Sequence, residues 1–294
     1  MIITVASGKG GTGKTTVATS LALSLAEEDK GPIFLDCDVE EPNAGLYLRP
    51  TLDQRQEAGI QIPQVDLDKC TFCGRCADVC VWHAIAVVGQ TVLIFPELCH
   101  GCGSCTLNCP EDAIYEVFNP MGSLESGQAG SIEYGQGTMD VGQAMAVPII
   151  RELKKKHLAR YQKAVPVAIL DAPPGTSCPV VESMSGSDYV LLVTEPTPFG
   201  LHDLRLAVQV ARDELGLPVG VIVNRDGIGD RGVDDYCAAE GIPILMRIPL
   251  DRNIAQALAG GEPLVEALPE YRPQFRQLYG KIIRQLQGQE GSPS

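Results

Sequence analysis

The sequence predicts an α/β fold, a parallel sheet covered by helices on both faces, with a small α+β cysteine-rich segment spliced in after the second strand. Three observations predict it. Short uninterrupted apolar runs alternate with helix-like stretches, the pattern of strands buried on both faces. A glycine-rich loop ending in Lys-Thr-Thr stands between the first apolar run and the first helix. Eight of the eleven cysteines fall in two compact runs.

Taken in order, residues 2–6 read as the first buried strand and 14–28 as a helix opened by the glycine-rich loop. Residues 33–36 are a second apolar strand ending in an acid. Residues 43–62 are mixed, 66–118 hold the cysteine runs, and 122–137 are glycine-rich with little periodicity. A helix over 141–160 ends in three lysines that complement its dipole. Strands at 167–171, 189–193, 219–223 and 244–248 then alternate with helices at 178–186, 201–215, 230–240 and 251–259. Phe275, Leu278, Tyr279, Ile282, Ile283 and Leu286 share one helical face. Packing on the sheet suits that face better than a membrane, because the helix does not end the chain in a basic amphipathic tip.

The 294 residues allow one large domain plus an insert, and 45% hydrophobic with 20% charged residues suits a packed core. A net charge of −14 argues against broad nucleic-acid binding, which needs phosphate-neutralising cations. No apolar run approaches the ~18 residues of a membrane span. The N-terminus lacks a basic start and cleavage site, so a cytoplasmic address is expected, without a stable membrane anchor. In such a reducing compartment, clustered cysteines signify metal rather than disulfides.

Gly8-Lys9-Gly10-Gly11-Thr12-Gly13-Lys14-Thr15-Thr16 fits the phosphate-loop pattern G-x-x-x-x-G-K-[ST]. Glycines let backbone N–H groups cradle phosphate oxygens, Lys14 reaches the β/γ-phosphates, and Thr15 holds Mg²⁺. A strand before and a helix after argue against a chance glycine-rich turn.

The additional Lys9 makes the loop resemble that of the deviant Walker A ATPases, which include MinD, ParA, Mrp and the nitrogenase iron protein. The resemblance implies that Lys9 crosses a dimer interface to offset charge on the partner's nucleotide. It implies that Asp36 supports Mg²⁺ from behind and Asp38 orients the attacking water. It also implies that Asp171 binds Mg²⁺ through water and that the Gly175 N–H senses the γ-phosphate. Asn224 matches the family's base-reading Asn, and Pro249 and Asp251 match a second adenine-side loop. For the acids, a helix cap or a solvated strand end is the plain alternative, and for the adenine-side residues, ordinary turns.

Cys70, Cys73, Cys76 and Cys80 recur 29 residues on (99 − 70) as Cys99, Cys102, Cys105 and Cys109, with Gly74/Gly103, Ala84/Ala113 and Ile85/Ile114 at the same offset. C-x₂-C-x₂-C-x₃-C, followed in the second run by Pro110, is the bacterial ferredoxin run, whose fourth Cys serves the other cluster. One [4Fe–4S] cluster is therefore expected on Cys70, Cys73, Cys76 and Cys109, the other on Cys99, Cys102, Cys105 and Cys80. Val81 replaces the usual Pro in the first run without removing a ligand. Zinc sites favour two C-x₂-C pairs with a longer spacer, which these runs do not match. His83 and His100 lie nearby, but eight thiolates already fill the cluster corners.

Cys37 and Cys237 read as small buried hydrophobes. Cys178 sits at a helix start seven residues after Asp171 (178 − 171). In the nitrogenase iron protein a cysteine at this position ligates a cluster shared by two subunits. Cys178 is thus a candidate metal or sulfur ligand at a dimer interface, with a plain packed cysteine as the alternative, and a second bridging cysteine is missing from 119–160.

Over residues 1 to about 260 the chain resembles MinD-superfamily ATPases with an inserted ferredoxin domain. Matching words are Met139-Asp140-Val141-Gly142, Asp171-Ala172-Pro173-Pro174-Gly175 and Val193 through Asp203. The expected organisation is a P-loop NTPase domain (1–62 and 119–287), an α+β 2[4Fe–4S] ferredoxin insert (63–118) and a disordered tail (288–294). The resemblance implies ATP, Mg²⁺ and two clusters as cofactors. It implies a homodimer or a heterodimer with a paralogue, and a client metalloprotein or redox partner. The function expected is ATP-gated electron transfer or metallocluster maturation. The alternative is a positioning or partitioning ATPase with the clusters as redox sensor. An amidating or biotin-type ligase needs a further substrate site that the sequence does not offer.

Overall fold

A computed structural model of the chain describes residues 1–26, 31–159 and 167–290. β1 (Ile2–Ala6), α1 (Lys14–Leu25), β2 (Ile33–Asp36), α2 (Ala44–Leu48) and β3 (Thr51–Val65) come first. The cysteine-rich segment holds α3 (Arg75–Asp78), β4 (Ile85–Val88), β5 (Thr91–Ile94) and α4 (Ser104–Leu107). β6 (Ile114–Ala129), β7 (Ile132–Met139), α5 (Val147–Leu158), β8 (Ala168–Asp171), α6 (Cys178–Met184) and β9 (Tyr189–Thr194) follow. The chain continues through α7 (Pro198–Val208), which runs into a π-helical turn, then β10 (Val219–Asp226), α8 (Gly232–Ala239) and β11 (Ile244–Pro249). α9 (Arg252–Ala259), α10 (Leu264–Ala267) and α11 (Tyr271–Glu290) close it.

One sheet runs β11-β10-β9-β1-β8-β2-β7-β6-β3. Neighbours are parallel from β11 to β7, as the alternating strands and helices require. β6 and β3 extend it antiparallel, and β4–β5 form a separate hairpin. β3 and β6 carry the sheet edge outward to the cysteine-rich segment, crossing positions 62/63 and 118/119 without a break. Ile3, Val5, Phe34 and Ile169 are fully buried beneath α1 and α11, while Val190, Leu192 and Val221 are buried beneath α6, α7 and α8. The parallel strands are thus covered on both sides, which explains their unbroken apolar sequences.

Several stretches differ from the sequence reading. Residues 43–62 resolve into α2 and β3, and the glycine-rich 122–137 stretch lies in β6 and β7. Gly135 and Gly137 lie beneath α5: a Cβ on Gly135 would sit 2.5 Å from His157 Nε2, and one on Gly137 2.8 Å from Ile149 Cγ2. Close helix packing, not loop structure, explains those glycines. α5 begins at Val147 rather than 141, with Pro148 in its first turn, where a missing N–H costs nothing. α1 ends at Leu25, and 27–28 of its expected span lie outside the described residues, as does 160 of the helix expected to end there. The tail read as disordered from 288 is still helical through Glu290, and 291–294 lie outside the described residues.

α11 packs on the body through Phe275, Leu278 and Ile282. Its cations serve the fold. Arg272 and Arg276 donate to the carbonyls of Leu23 and Ser24, each at 2.8 Å, satisfying the end of α1, and Lys281 donates to the Leu245 carbonyl at 2.6 Å. Among the described residues no helix is long and apolar enough to cross a membrane.

Candidate functional site

The glycine-rich loop leaves β1 at the carboxyl edge of the sheet, where open α/β sheets bind ligands. Gly11 and Gly13 adopt left-handed φ of 76° and 91°, turning the loop into α1. Gly8 packs against α7 so closely that a Cβ would lie 2.2 Å from the Asp203 carbonyl oxygen. The loop borders a cleft of about 550 Å³, within the range of small-molecule sites. Lys9, Gly10, Gly11, Thr12, Gly13, Lys14, Thr15, Thr16 and Asp38 line it, with Asn224, Pro249 and Asp251 across from them. Pro174 of the Asp171–Gly175 word and Leu250 between Pro249 and Asp251 line it too, together with Leu46, Tyr47 and Arg225, which belong to no motif. Only the tertiary fold brings them there.

Behind the loop lie two acids at equal height, because Asp36 pairs with Asp171 in the β2–β8 register. Lys14 Nζ donates to Asp171 Oδ1 at 2.9 Å, with both side chains buried. Asp36 accepts from the backbone N–H groups of Asp38 (3.1 Å), Asn43 (3.0 Å) and Ala44 (2.9 Å). Burial, then the Asp171 carboxylate, pushes Asp36 up to about 7. Burial also pushes Asp38 up to about 6, against the pull of Lys14. Burial works against the Lys14 charge, but Asp171, Asp38 and Asp36 outweigh it and hold its pKa above the ordinary lysine value.

Three carboxylates thus share one ammonium. Asp171 Oδ2 and Thr12 Oγ1 are buried with no hydrogen-bond partner. A shortage of positive charge and an orphaned acceptor fit a divalent cation delivered with a phosphate ligand.

Other predicted residues are engaged within the chain. The Gly175 N–H, predicted to sense γ-phosphate, donates to the Ser7 carbonyl at 2.9 Å. Asn224 Nδ2 donates to the Thr12 carbonyl at 2.7 Å, and Asp251 caps α9 through the Asn253 N–H at 2.6 Å. Lys9 Nζ lies 3.4 Å from Glu195 Oε2. Glu195 is buried and also pairs with Arg225, which in turn donates to the Gly11 carbonyl at 3.1 Å.

The cysteines divide as their spacing predicts. Cys70, Cys73, Cys76 and Cys109 line one cavity, and Cys80, Cys99, Cys102 and Cys105 line another. The repeat extends to the backbone at the 29-residue offset (101 − 72). Left-handed φ recurs at Phe72/Gly101 (57° and 62°), Gly74/Gly103 (81° and 70°) and His83/Asp112 (52° and 48°). The Ala84 N–H reaches Cys80 Sγ at 3.3 Å, and the Ala113 N–H reaches Cys109 Sγ at 3.3 Å. Four thiols line each cavity, with backbone amides donating to Cys80 and Cys109, a set whose chemistry would fit a thiolate-held cluster.

Cys178 is exposed at the first position of α6, outside the nucleotide cleft. Burial pushes the Cys37 thiol up to about 12 and that of Cys237 up to about 11, as packed thiols should behave.

A family model described as the CobQ/CobB/MinD/ParA nucleotide binding domain matches residues 3–264. An uncharacterized protein of Methanocaldococcus jannaschii is 31% identical over 90% of this chain and 92% of its own. An iron-sulfur cluster carrier protein of the same organism is 24% identical over 98% of this chain and 86% of its own. The septum site-determining protein MinD of Pyrococcus horikoshii, solved with Mg-ADP, superposes with a TM-score of 0.58 at 20% identity, covering 96% of this chain and 95% of that one.

Proposed function

From its membership of the CobQ/CobB/MinD/ParA nucleotide-binding family, an ATPase family, we propose that this chain is a dimeric ATP-driven switch carrying two [4Fe–4S] clusters. In this reading it works in ATP-gated electron transfer to a client protein, or in metallocluster assembly on one. The observation that carries the reading is the exchange of the fourth cysteine. Each cavity collects three thiols from one run and one from the other, the arrangement of a two-cluster ferredoxin. We take 63–118 as the cluster-bearing insert within an ATPase domain of 1–62 and 119–287. The relatives named as iron–sulfur cluster carriers support a metallocluster role.

The residues divide the work of hydrolysis. Backbone N–H groups of the loop and Lys14 would hold the phosphates, and Thr15 and Asp171 would hold Mg²⁺, which when bound shields phosphate charge. Asp38, at the cleft wall, would orient the attacking water. Lys9 leaves Glu195 to meet a partner's nucleotide, and the Gly175 N–H leaves Ser7 when a γ-phosphate competes for it. Loop movement at these two contacts is the route by which nucleotide state reaches the dimer interface. The thiolate-held clusters supply low-potential electron storage.

Anaerobically purified protein is expected to carry about eight irons per chain. Its ATP turnover should differ between dithionite-reduced and oxidised samples. Stimulation by DNA or liposomes with no redox dependence would favour a positioning ATPase instead.

A further inference from the structure

The cysteine repeat makes each cavity a control for the other. Under the 29-residue offset (116 − 87), Glu116 corresponds to Val87, and Pro63 to Val92. Strand pairing confirms the equivalence, since Glu116 faces Pro63 across β6–β3 and Val87 faces Val92 across β4–β5. Each member of the pair lines its own cavity. At matched positions, therefore, one cavity is bounded by a methyl-bearing side chain and the other by a carboxylate.

The Glu116 carboxylate turns toward the cavity. Its Oε1 accepts from Thr106 Oγ1 at 3.5 Å and lies 3.3 Å from where a Cβ on Gly103 would stand, between two cysteines of the second run. The walls differ in net charge as well. Arg75 and Glu111 border the first cavity and offset each other, whereas Glu116 is the one carboxylate at the second, with no lysine or arginine among the residues that line it.

Resting on the two-cluster reading above, we propose that Glu116 lowers the reduction potential of the cluster held by Cys80, Cys99, Cys102 and Cys105, making it the more reducing of the pair. Each cluster takes up one electron, which adds one negative charge. The Glu116 carboxylate, although exposed, stands beside the cavity and opposes that charge, in a setting where charge and hydrogen bonding set cluster potentials. Ser104 and Thr106 donate to Cys102 and Cys105 and pull the other way, but these uncharged donors are set against a full charge. The first electron accordingly rests on the Cys70, Cys73, Cys76 and Cys109 cluster, and the strongly reducing second electron occupies the other.

The test is an EPR-monitored redox titration of the full-length anaerobic protein at pH 8 with dithionite as reductant, with iron assayed on each sample. Wild type should show two separate one-electron waves. Glu116→Gln, which keeps the side-chain shape, and Glu116→Val should each raise the lower wave and leave the upper one in place. Val87→Glu should lower the upper wave. Absence of iron from the wild-type protein overturns the two-cluster reading and this inference with it. A full iron complement with Glu116→Gln titrating like wild type overturns this inference alone.

Discussion

Lys14 Nζ lies 2.9 Å from Asp171 Oδ1, and neither side chain is open to solvent. The lysine that should grip phosphate is held by the acid that should serve Mg²⁺. Binding must exchange this pair for phosphate on one side and a cation on the other. Lys14→Ala is expected to weaken Mg·ATP binding about 100-fold or more, the scale of losing a buried charge-assisted contact. It should also lower the melting temperature, because three carboxylates then lack their ammonium. Titration calorimetry finding near-wild-type affinity would contradict this assignment.

The other loop lysine behaves differently. Lys9 pairs with Glu195 at 3.4 Å, and its side chain is 33% exposed, so the pair is partly screened and separates at small cost. Lys9→Ala should leave ATP affinity within about threefold of wild type, while turnover falls on the order of 10²- to 10³-fold, the loss typical of one transition-state charge contact. Equal losses in binding and turnover would place Lys9 on its own nucleotide rather than a partner's.

Most of this site was legible in the sequence because its signals are local. A phosphate loop and a ferredoxin run each declare themselves within a few residues, and the exchange of Cys80 and Cys109 between cavities followed from spacing. What was not legible depends on long-range packing. Glu195 and Arg225 gain meaning only by folding against the loop at Lys9 and Gly11. β7 was obscured because Gly135 and Gly137, which thin out its apolar alternation, make room for His157 and Ile149 from α5. The antiparallel edge β3–β6 was hidden for a related reason: its first half, 51–57, is exposed throughout and shows no buried face to detect.

The acids behind the loop set a pH dependence. Asp38 is pushed up to about 6 and Asp36 to about 7, so both lose charge as pH falls through those values. If the ionised forms orient water and support Mg²⁺, kcat/KM should decline by about tenfold per pH unit below about 7, and more steeply below about 6. Asp38→Asn should abolish the steeper part along with most activity. Stability runs the opposite way. Raised carboxylate pKa values mean that the folded chain binds more protons than the unfolded one between about 4 and 7. The contribution of these two groups to nucleotide-free stability therefore falls as pH rises across that window, and saturating Mg·ATP should reverse the loss. Thermal melts at pH 6 and 8, with and without Mg·ATP, test the sign.

The division of cysteines between cavities gives the sharpest discrimination. Cys80 belongs by sequence to the first run but lines the cavity of the second, and Cys109 does the reverse. Cys80→Ser should therefore perturb the same EPR signal as Cys102→Ser, and Cys109→Ser the same signal as Cys73→Ser. Each single variant should keep the other cluster, with iron falling by up to about half, since four thiolates per cluster leave the second set complete. The neighbouring cavity should survive because its small core, including Ile85 and Ile114, does not depend on the lost ligand alone. If Cys80→Ser instead behaved like Cys73→Ser, each run would be a self-contained site. The shared geometry, and the ordering of potentials built on it, would then be wrong.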